Sequence, residues 1–390
     1  MATAWVGIAA LSLAAWVYLV FAHGRFWLCD QRLDGRDAAP AQWPKIVAVV
    51  PARDEADLLP AVLRSLLDQE YPGDFRVILV DDESSDGTAE VARRVAGEHA
   101  SGARLLVVGT PPRPPGWVGK MWAVASGLRA AEAAGLEPEA WLLTDADVVH
   151  GRDGLRLLVA KAQADRLDLV SLMVRLDAER GSCRLLIPAF VYFFQKLYPF
   201  PRVNDARART AGAAGGCVLV RRRALASAGG IEPLRAEVID DCALGRAVKR
   251  NGGRLWLGHS ASERSIRPYA GLGDVWRMVA RSAFTQLRHS SLLLLGTLVG
   301  LALLYLVPPL WVLGLPLHGN ATAAALAAGA WLLAAASFAP TLVLYGRSVA
   351  WAIALPLAGA LYAGMTFDSA RRHWRNEGAS WKGRAAAGRG

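Results

Sequence analysis

Apolar residues are distributed along this chain in two ways. Between Lys45 and Val174 they form short runs separated by amphipathic stretches, and near both ends they form long blocks almost free of charge. Lys45-Ile46-Val47-Ala48-Val49-Val50 has the unbroken apolar character of a buried parallel strand, and it stops at Pro51-Ala52-Arg53-Asp54-Glu55. Ala56 to Gln69 then places Leu58, Leu59, Val62, Leu63, Leu66 and Leu67 at helical spacing. Phe75 to Val80 predicts a second strand, closed by Asp81-Asp82-Glu83-Ser84-Ser85-Asp86-Gly87-Thr88, and a capped helix follows from Thr88 to Ala96. A third strand, Arg104 to Val108, leads into a Pro- and Gly-rich loop, and Lys120 opens a helix that runs to Ala134. The apolar run Trp141-Leu142-Leu143-Thr144 then ends in Asp145-Ala146-Asp147, ahead of a helix at Leu155 to Ala164 and a strand at Asp168 to Val174.

This alternation predicts an α/β fold: a mostly parallel, Rossmann-like sheet with helices on both faces. Ligands of such sheets sit beyond the carboxyl ends of the strands. The polar clusters Arg53-Asp54-Glu55, Asp81-Asp82-Glu83 and Asp145-Ala146-Asp147 all fall at such ends, so they converge on one crevice. After Val174 the pattern loosens. Ile187 to Phe200 is dense in aromatics with one charge, Lys196, and reads either as a core helix or as an interfacial element. Gly212-Ala213-Ala214-Gly215-Gly216 precedes a strand at Cys217 to Val220 and permits close approach of a backbone or ligand. Ile239-Asp240-Asp241 opens a helix, Cys242 to Lys249, and Arg254 to Leu257 reads as a last short strand. Leu272 to Leu287 is amphipathic, as an interfacial helix is.

The long blocks are Ala4 to Ala22, Leu292 to Leu317, Ala321 to Leu344 and Val349 to Phe367. The first is long enough to span a bilayer as a helix, with a cleaved signal peptide as the competing reading. No Lys or Arg precedes it, whereas Arg25, Arg32 and Arg36 follow it, so an anchor with the next domain in the cytoplasm is expected. Pro308-Pro309 interrupts the second block, which is expected to be re-entrant or interfacial, because three crossings would put the basic tail (Arg371, Arg372, Arg375, Lys382, Arg384) outside. The expected layout is an anchor over 1–24, a linker over 25–44, a catalytic domain over 45–271, an interfacial helix over 272–290, membrane segments over 291–370 and a tail over 371–390.

Composition supports that layout. The 390 residues are 53% hydrophobic and 20% charged, too apolar for an ordinary soluble enzyme. The net charge of +10 suits an anionic lipid surface better than nucleic acid, given apolar blocks at both ends. Cys29, Cys183, Cys217 and Cys242 are scattered with no metal-ligand spacing, which fits reduced thiols. Asp145 and Asp147 lie close enough to repel, and a hard divalent ion, Mg²⁺ or Mn²⁺, would relieve that repulsion and bind a substrate diphosphate. Alone, the pair also reads as a solvated acidic turn.

Five motifs occur in order: Pro51-Ala52-Arg53-Asp54-Glu55, Val80-Asp81-Asp82-Glu83-Ser84-Ser85-Asp86-Gly87-Thr88, Gly119-Lys120-Met121-Trp122-Ala123, Thr144-Asp145-Ala146-Asp147 and Ile239-Asp240-Asp241. Together they resemble the motif series of family 2 glycosyltransferases with the GT-A fold, and most nearly the hopene-associated subgroup of hopanoid-producing bacteria. The resemblance implies a nucleotide-diphosphate sugar donor, most often a UDP-sugar, and enzyme residence at the bacterial inner membrane. Pro51, Arg53 and Glu55 would lie against the nucleotide, Asp81 and Asp82 would bind base and ribose, and Lys120 would face the diphosphate. Asp147 would ligate the metal, with Asp145 nearer the ribose and metal shell. Asp241 would be the general base of a single inverting displacement, preceded by Asp240 where the family more often has Glu; a helix cap is the competing reading of that pair. Processive members carry Gln-x-x-Arg-Trp after the base. Here the stretch reads Phe284-Thr285-Gln286-Leu287-Arg288-His289, which implies transfer of one sugar to a lipid hydroxyl, with Arg281 or Arg288 as possible diphosphate contacts. A polyprenyl-phosphate acceptor and a non-catalytic nucleotide-binding scaffold are the rival readings.

Overall fold

Ile46–Ala52 forms β1, and every one of its seven residues is buried. The structure, a computed structural model, describes residues 2–375, 377, 380–381 and 384–385, so Lys382 of the basic tail lies outside the described residues. Two units are present. An α/β unit is assembled from Gln31–Asp177, Arg202–Pro268 and Ala379–Gly390, and a helical unit from Met1–Asp30, Ala178–Pro201 and Tyr269–Gly378.

In the α/β unit, β1 is joined by β2 (Phe75–Asp81), β3 (Leu105–Gly109), β4 (Ala140–Thr144), β5 (Val148–Val149), β6 (Leu169–Arg175), β7 (Cys217–Arg221) and β8 (Leu255–Ser265). The described residues form one eight-stranded sheet, in the order β3-β2-β1-β4-β7-β6-β8-β5. The pairs β1–β2, β1–β4, β2–β3 and β6–β8 are parallel. β7 runs antiparallel to both β4 and β6, and β5 runs antiparallel to β8. The sheet is therefore mixed but mostly parallel, as the alternation of strands and helices requires.

Alternate residues of β1 serve opposite faces. Ile46, Ala48, Val50 and Ala52 share a core with Leu59, Leu63 and Leu66 of the helix Leu59–Leu67 and with Leu155 and Leu158 of the helix Gly154–Ala164. Val49 faces the helix Gly119–Ala133, which crosses at Gly127. A Cβ at Gly127 would lie 2.5 Å from Val49 Cγ1 and 2.8 Å from Val80 Cγ2, so only glycine lets this helix sit so low on the sheet.

Two details differ from the sequence expectation. β8 is an eleven-residue strand rather than a short one ending at Leu257, because Glu263 and Ser265 alternate inward with exposed Arg264 between them. β7 separates β4 from β6, which the order of strands along the chain would have made neighbours.

Among its described residues the helical unit contains four apolar helical runs long enough to cross a membrane: Thr3–Phe21, Ser291–Leu313, Ala321–Leu344 and Val349–Trp374. The Pro-containing block is not broken, which corrects the expected interruption. Ser291–Leu301 passes through a π turn, Ala302–Leu306, into Val307–Leu313. Pro308 has no N–H to give the Leu304 carbonyl, and the π turn frees the Leu303 carbonyl. Trp16 Nε1 donates to Leu304 O at 2.9 Å and Ser12 Oγ donates to Leu303 O at 2.8 Å. Neighbouring side chains thus satisfy both carbonyls, and the helix can continue.

Ile187 to Phe200 resolves to the core reading within this unit. It lies in the helix Cys183–Leu197, where Ile187 and Tyr192 are fully buried and Tyr192 Oη meets Ser337 Oγ at 2.7 Å. The amphipathic stretch is the helix Leu272–Gln286, which buries Val275, Val279, Ala280 and Phe284 and donates from Trp276 Nε1 to Asp368 at 2.9 Å. Arg281 and Arg288 are exposed and belong to this unit. Among the described residues all four cysteines are buried and none is in a disulfide.

Candidate active site

The polar clusters at the carboxyl ends of β1, β2 and β4 meet within the α/β unit. The turns after β1 and β2 are laced together. Asp54 N donates to Ser84 Oγ at 3.0 Å, Asp54 Oδ1 accepts the Ser85 N–H at 2.8 Å, and Glu55 N donates to Thr88 Oγ1 at 2.9 Å. Ala56 N donates to Asp86 at 2.9 Å. Burial raises the Asp86 carboxyl, but its bonds from Thr88 and Ala56 outweigh that and hold it below the ordinary value. Arg53 donates to the carbonyls of Asp82 and Glu83 and lies 3.8 Å from the Asp82 carboxylate. Asp82 is fully buried and accepts from Thr110 Oγ1 at 3.2 Å. Asp81 Oδ1 is also buried but has no hydrogen-bond partner among the described residues. A buried acceptor left open at a strand end is a place for a ligand N–H or O–H.

Beyond β4, the two expected metal carboxylates are each paired with a cation of the chain. Lys120, at the start of the helix Gly119–Ala133, places Nζ 2.9 Å from Asp145 Oδ1 and 3.3 Å from Asp240 Oδ2. Burial alone would pull this ammonium down; Asp145, Asp240 and Asp241 outweigh it and hold it well above the usual lysine value. Asp147 Oδ2 accepts from Arg267 Nε at 2.9 Å and from Ser265 Oγ at 3.1 Å. The same guanidinium donates through its Nη2 to Glu55, which is 8% exposed. Burial and the nearby Asp145 charge push the Asp147 carboxyl up, partly offset by Arg267 and Ser265.

Asp240 and Asp241 open the helix Asp240–Arg250. The capping position is Ile239, with no side-chain cap bond, so neither acid acts as the cap. Asp241 instead turns to Gly215, whose N–H donates to Oδ2 at 2.7 Å, while Oδ1 accepts the Cys242 N–H at 2.7 Å. Burial and the Asp240 charge push the Asp241 carboxyl up to about 6, against the pull of Lys120 and the two amides. A small cleft opens here, lined by the polar Lys120, Asp145, Asp240 and Asp241 and by the apolar Pro51, Met121, Ile231, Leu234 and Leu244.

The residues singled out from the sequence fall in three paired groups at the strand ends, Asp82 with Arg53, Glu55 through Arg267 with Asp147, and Asp145 through Lys120 with Asp240 beside Asp241, while Pro51 lines the cleft and Asp81 closes β2. Sequence reasoning missed Arg267, Ser265 and Gly215 as members. The alternation of β8 carried past Leu257 would have brought Ser265 and Arg267 to the site. His150 and His259 do not join it. Burial lowers His150 to about 4 and, with the Arg32 charge, lowers His259 to about 3, so both stay neutral.

Whether a divalent ion fits can be judged from the donor set. Asp145 and Asp147 offer hard oxygen ligands to an octahedral ion that takes roughly six. Among the described residues no group of three or more His, Cys, Asp or Glu is placed to hold one. The set therefore suits an ion that brings most of its ligands with it, as a diphosphate-bound ion does.

An open sheet with buried acids and a paired lysine at its carboxyl edge defines a class: α/β proteins that bind ligand where the strands end. Residues 44–287 match the family model described as glycosyltransferase like family 2, and the chain belongs to that family. Among solved structures, the chain is similar to the Pyrobaculum calidifontis mannosyltransferase PcManGT in complex with GDP-Man and Mn²⁺. The identity is 22% over 96% of this chain and 99% of that one, with a TM-score of 0.57, which supports the GT-A fold. It is also similar to S. aureus TarS 1–349 in complex with UDP-GlcNAc, at 15% identity over 86% of this chain and 92% of that one, with a TM-score of 0.39. No curated protein matches the sequence.

Proposed function

We propose that this glycosyltransferase is anchored in a bacterial inner membrane with its α/β unit in the cytoplasm. There it moves one sugar from a nucleotide-diphosphate sugar to a lipid hydroxyl, with inversion. The observation that carries this reading is the state of Asp241: a carboxyl raised to about 6, held by two backbone amides beside an ammonium and an open cleft. A base near that value can be ionised at neutral pH and still accept a proton.

Asp241 takes the proton of the acceptor hydroxyl as its oxygen bonds to the anomeric carbon. The bond from that carbon to the diphosphate oxygen breaks, and the nucleoside diphosphate leaves with the electron pair. A single displacement by one base inverts the anomeric centre. Asp81 and Asp82 receive the nucleoside, with Pro51, Arg53 and Glu55 along the nucleotide, and Lys120 faces the diphosphate. Asp147, with Asp145, would hold Mg²⁺ or Mn²⁺, which when bound supplies a Lewis acid for the leaving diphosphate. The apolar residues of the cleft lining, Met121, Ile231, Leu234 and Leu244, suit a hydrocarbon acceptor, and the sequence resemblance points to a hopanoid.

The test is incubation of membranes containing the protein with labelled UDP- and GDP-sugars, followed by mass analysis of extracted lipids. One hexose added to a lipid hydroxyl is the expected product. Label on a polyprenyl phosphate would replace the acceptor assignment, and no transfer from any donor would support a nucleotide-binding scaffold.

A further inference from the structure

Arg267 lies outside every motif that marks the family in this sequence, yet it joins two of them. Its guanidinium spans Glu55, from the turn after β1, and Asp147, from the end of β4. Its side chain is 35% exposed, so it is seated on the acids without being sealed under them. A metal ion arriving alone at Asp147 competes with this guanidinium for one carboxylate and stands beside a second positive charge. A diphosphate arriving alone must approach Asp145 and Asp147. Only the two together suit all the charges present, and a planar guanidinium matches phosphate oxygens in pairs.

We propose that Arg267 is a two-position side chain: with the donor absent it neutralises Asp147 and Glu55, and when a divalent ion takes Asp147 it transfers to the donor diphosphate. This deepens the reading of the site as a nucleotide-sugar site and rests on it. The consequence is that Arg267 opposes metal binding and favours nucleotide binding, two effects of opposite sign from one residue. A residue that only supported the fold would move both in the same direction.

The experiment uses the full chain in detergent. Free Mn²⁺ is followed by electron paramagnetic resonance during titration without nucleotide, and UDP and GDP are titrated calorimetrically in the presence of saturating Mn²⁺. Arg267→Gln is expected to bind Mn²⁺ about tenfold more tightly and the nucleotide about tenfold more weakly than the parent. Because Arg267→Gln strands the buried pair partner Glu55, Glu55→Gln/Arg267→Gln is measured beside it and is expected to tighten Mn²⁺ in the same direction. Unchanged or weaker Mn²⁺ binding in both variants overturns the proposal, as does nucleotide affinity that does not fall. Failure of the parent chain to bind either UDP or GDP would instead sink the donor reading beneath it, whatever Mn²⁺ does.

Discussion

Gly215 donates its backbone N–H to Oδ2 of Asp241 at 2.7 Å, from a position where any side chain would press on the same oxygen. A Cβ there would lie 3.2 Å from Oδ2 and 3.4 Å from Asp241 Cβ. The proposed base is thus aimed by a residue with little room for a side chain.

Gly215→Ala is therefore expected to turn the Asp241 carboxyl without removing it. Turnover should fall about tenfold, equivalent to ~1.4 kcal/mol of barrier, with the melting temperature little changed. Steady-state kinetics beside a thermal melt would check it; a melt that collapses would mean that the loop, not the base, had been disturbed.

Asp241→Asn should cost roughly 10²–10⁴-fold in turnover with a hydroxyl acceptor. In the parent enzyme the proton on Asp241 must leave before it can serve as base. The rate should then rise with pH along a limb centred near 6, the raised value for this carboxyl, and level off above it. The same limb should be missing from the residual activity of the Asn variant. Near-normal turnover in that variant would favour a phosphate acceptor.

Lys120→Met would leave Asp145 and Asp240 facing each other across an apolar side chain. Removing one member of a fully buried pair costs about 3–5 kcal/mol, and the 36% exposure of Asp145 reduces the expected loss to roughly 2 kcal/mol. Donor affinity should fall as well. Calorimetric unfolding and nucleotide titration would show whether both losses occur.

In the helical unit, Ser12→Ala and Trp16→Phe each remove the donor to a carbonyl freed at the π turn. Each should destabilise by about 1–3 kcal/mol, the cost of a buried acceptor left open. Replacing Pro308 with Ala should restore a backbone donor for Leu304 and lessen the effect of Trp16→Phe. Thermal unfolding of the double and single variants in one detergent forms the cycle that measures it.

Strands with unbroken apolar character were plain in the sequence because burial on both faces leaves no polar alternation to confuse. Acidic residues at their ends followed directly. What could not be read was pairing. Nothing in Cys217–Arg221 says that it runs antiparallel between β4 and β6, since register depends on contacts made across long loops. Arg267 was missed for a related reason: its part in the site depends on β8 reaching Ser265, and the polar stretch His259-Ser260-Ala261-Ser262-Glu263 hides that strand. The proline pair misled because proline was judged on its own helix. The donors that rescue it, Ser12 and Trp16, lie some 290 positions away, with Ser12 and Leu303 291 residues apart.

Gly216 stands directly after the residue that holds Asp241, and its carbonyl accepts from Thr144 Oγ1 at 2.8 Å, while Thr144 and Cys217 face each other as rungs of the β4–β7 ladder. Asp145 follows Thr144 at once. Asp241, the proposed base, and Asp145 are therefore gauged from a single short length of antiparallel ladder, like two tools clamped in one vice. Outlying loops can be reshaped without altering the spacing between these two acids.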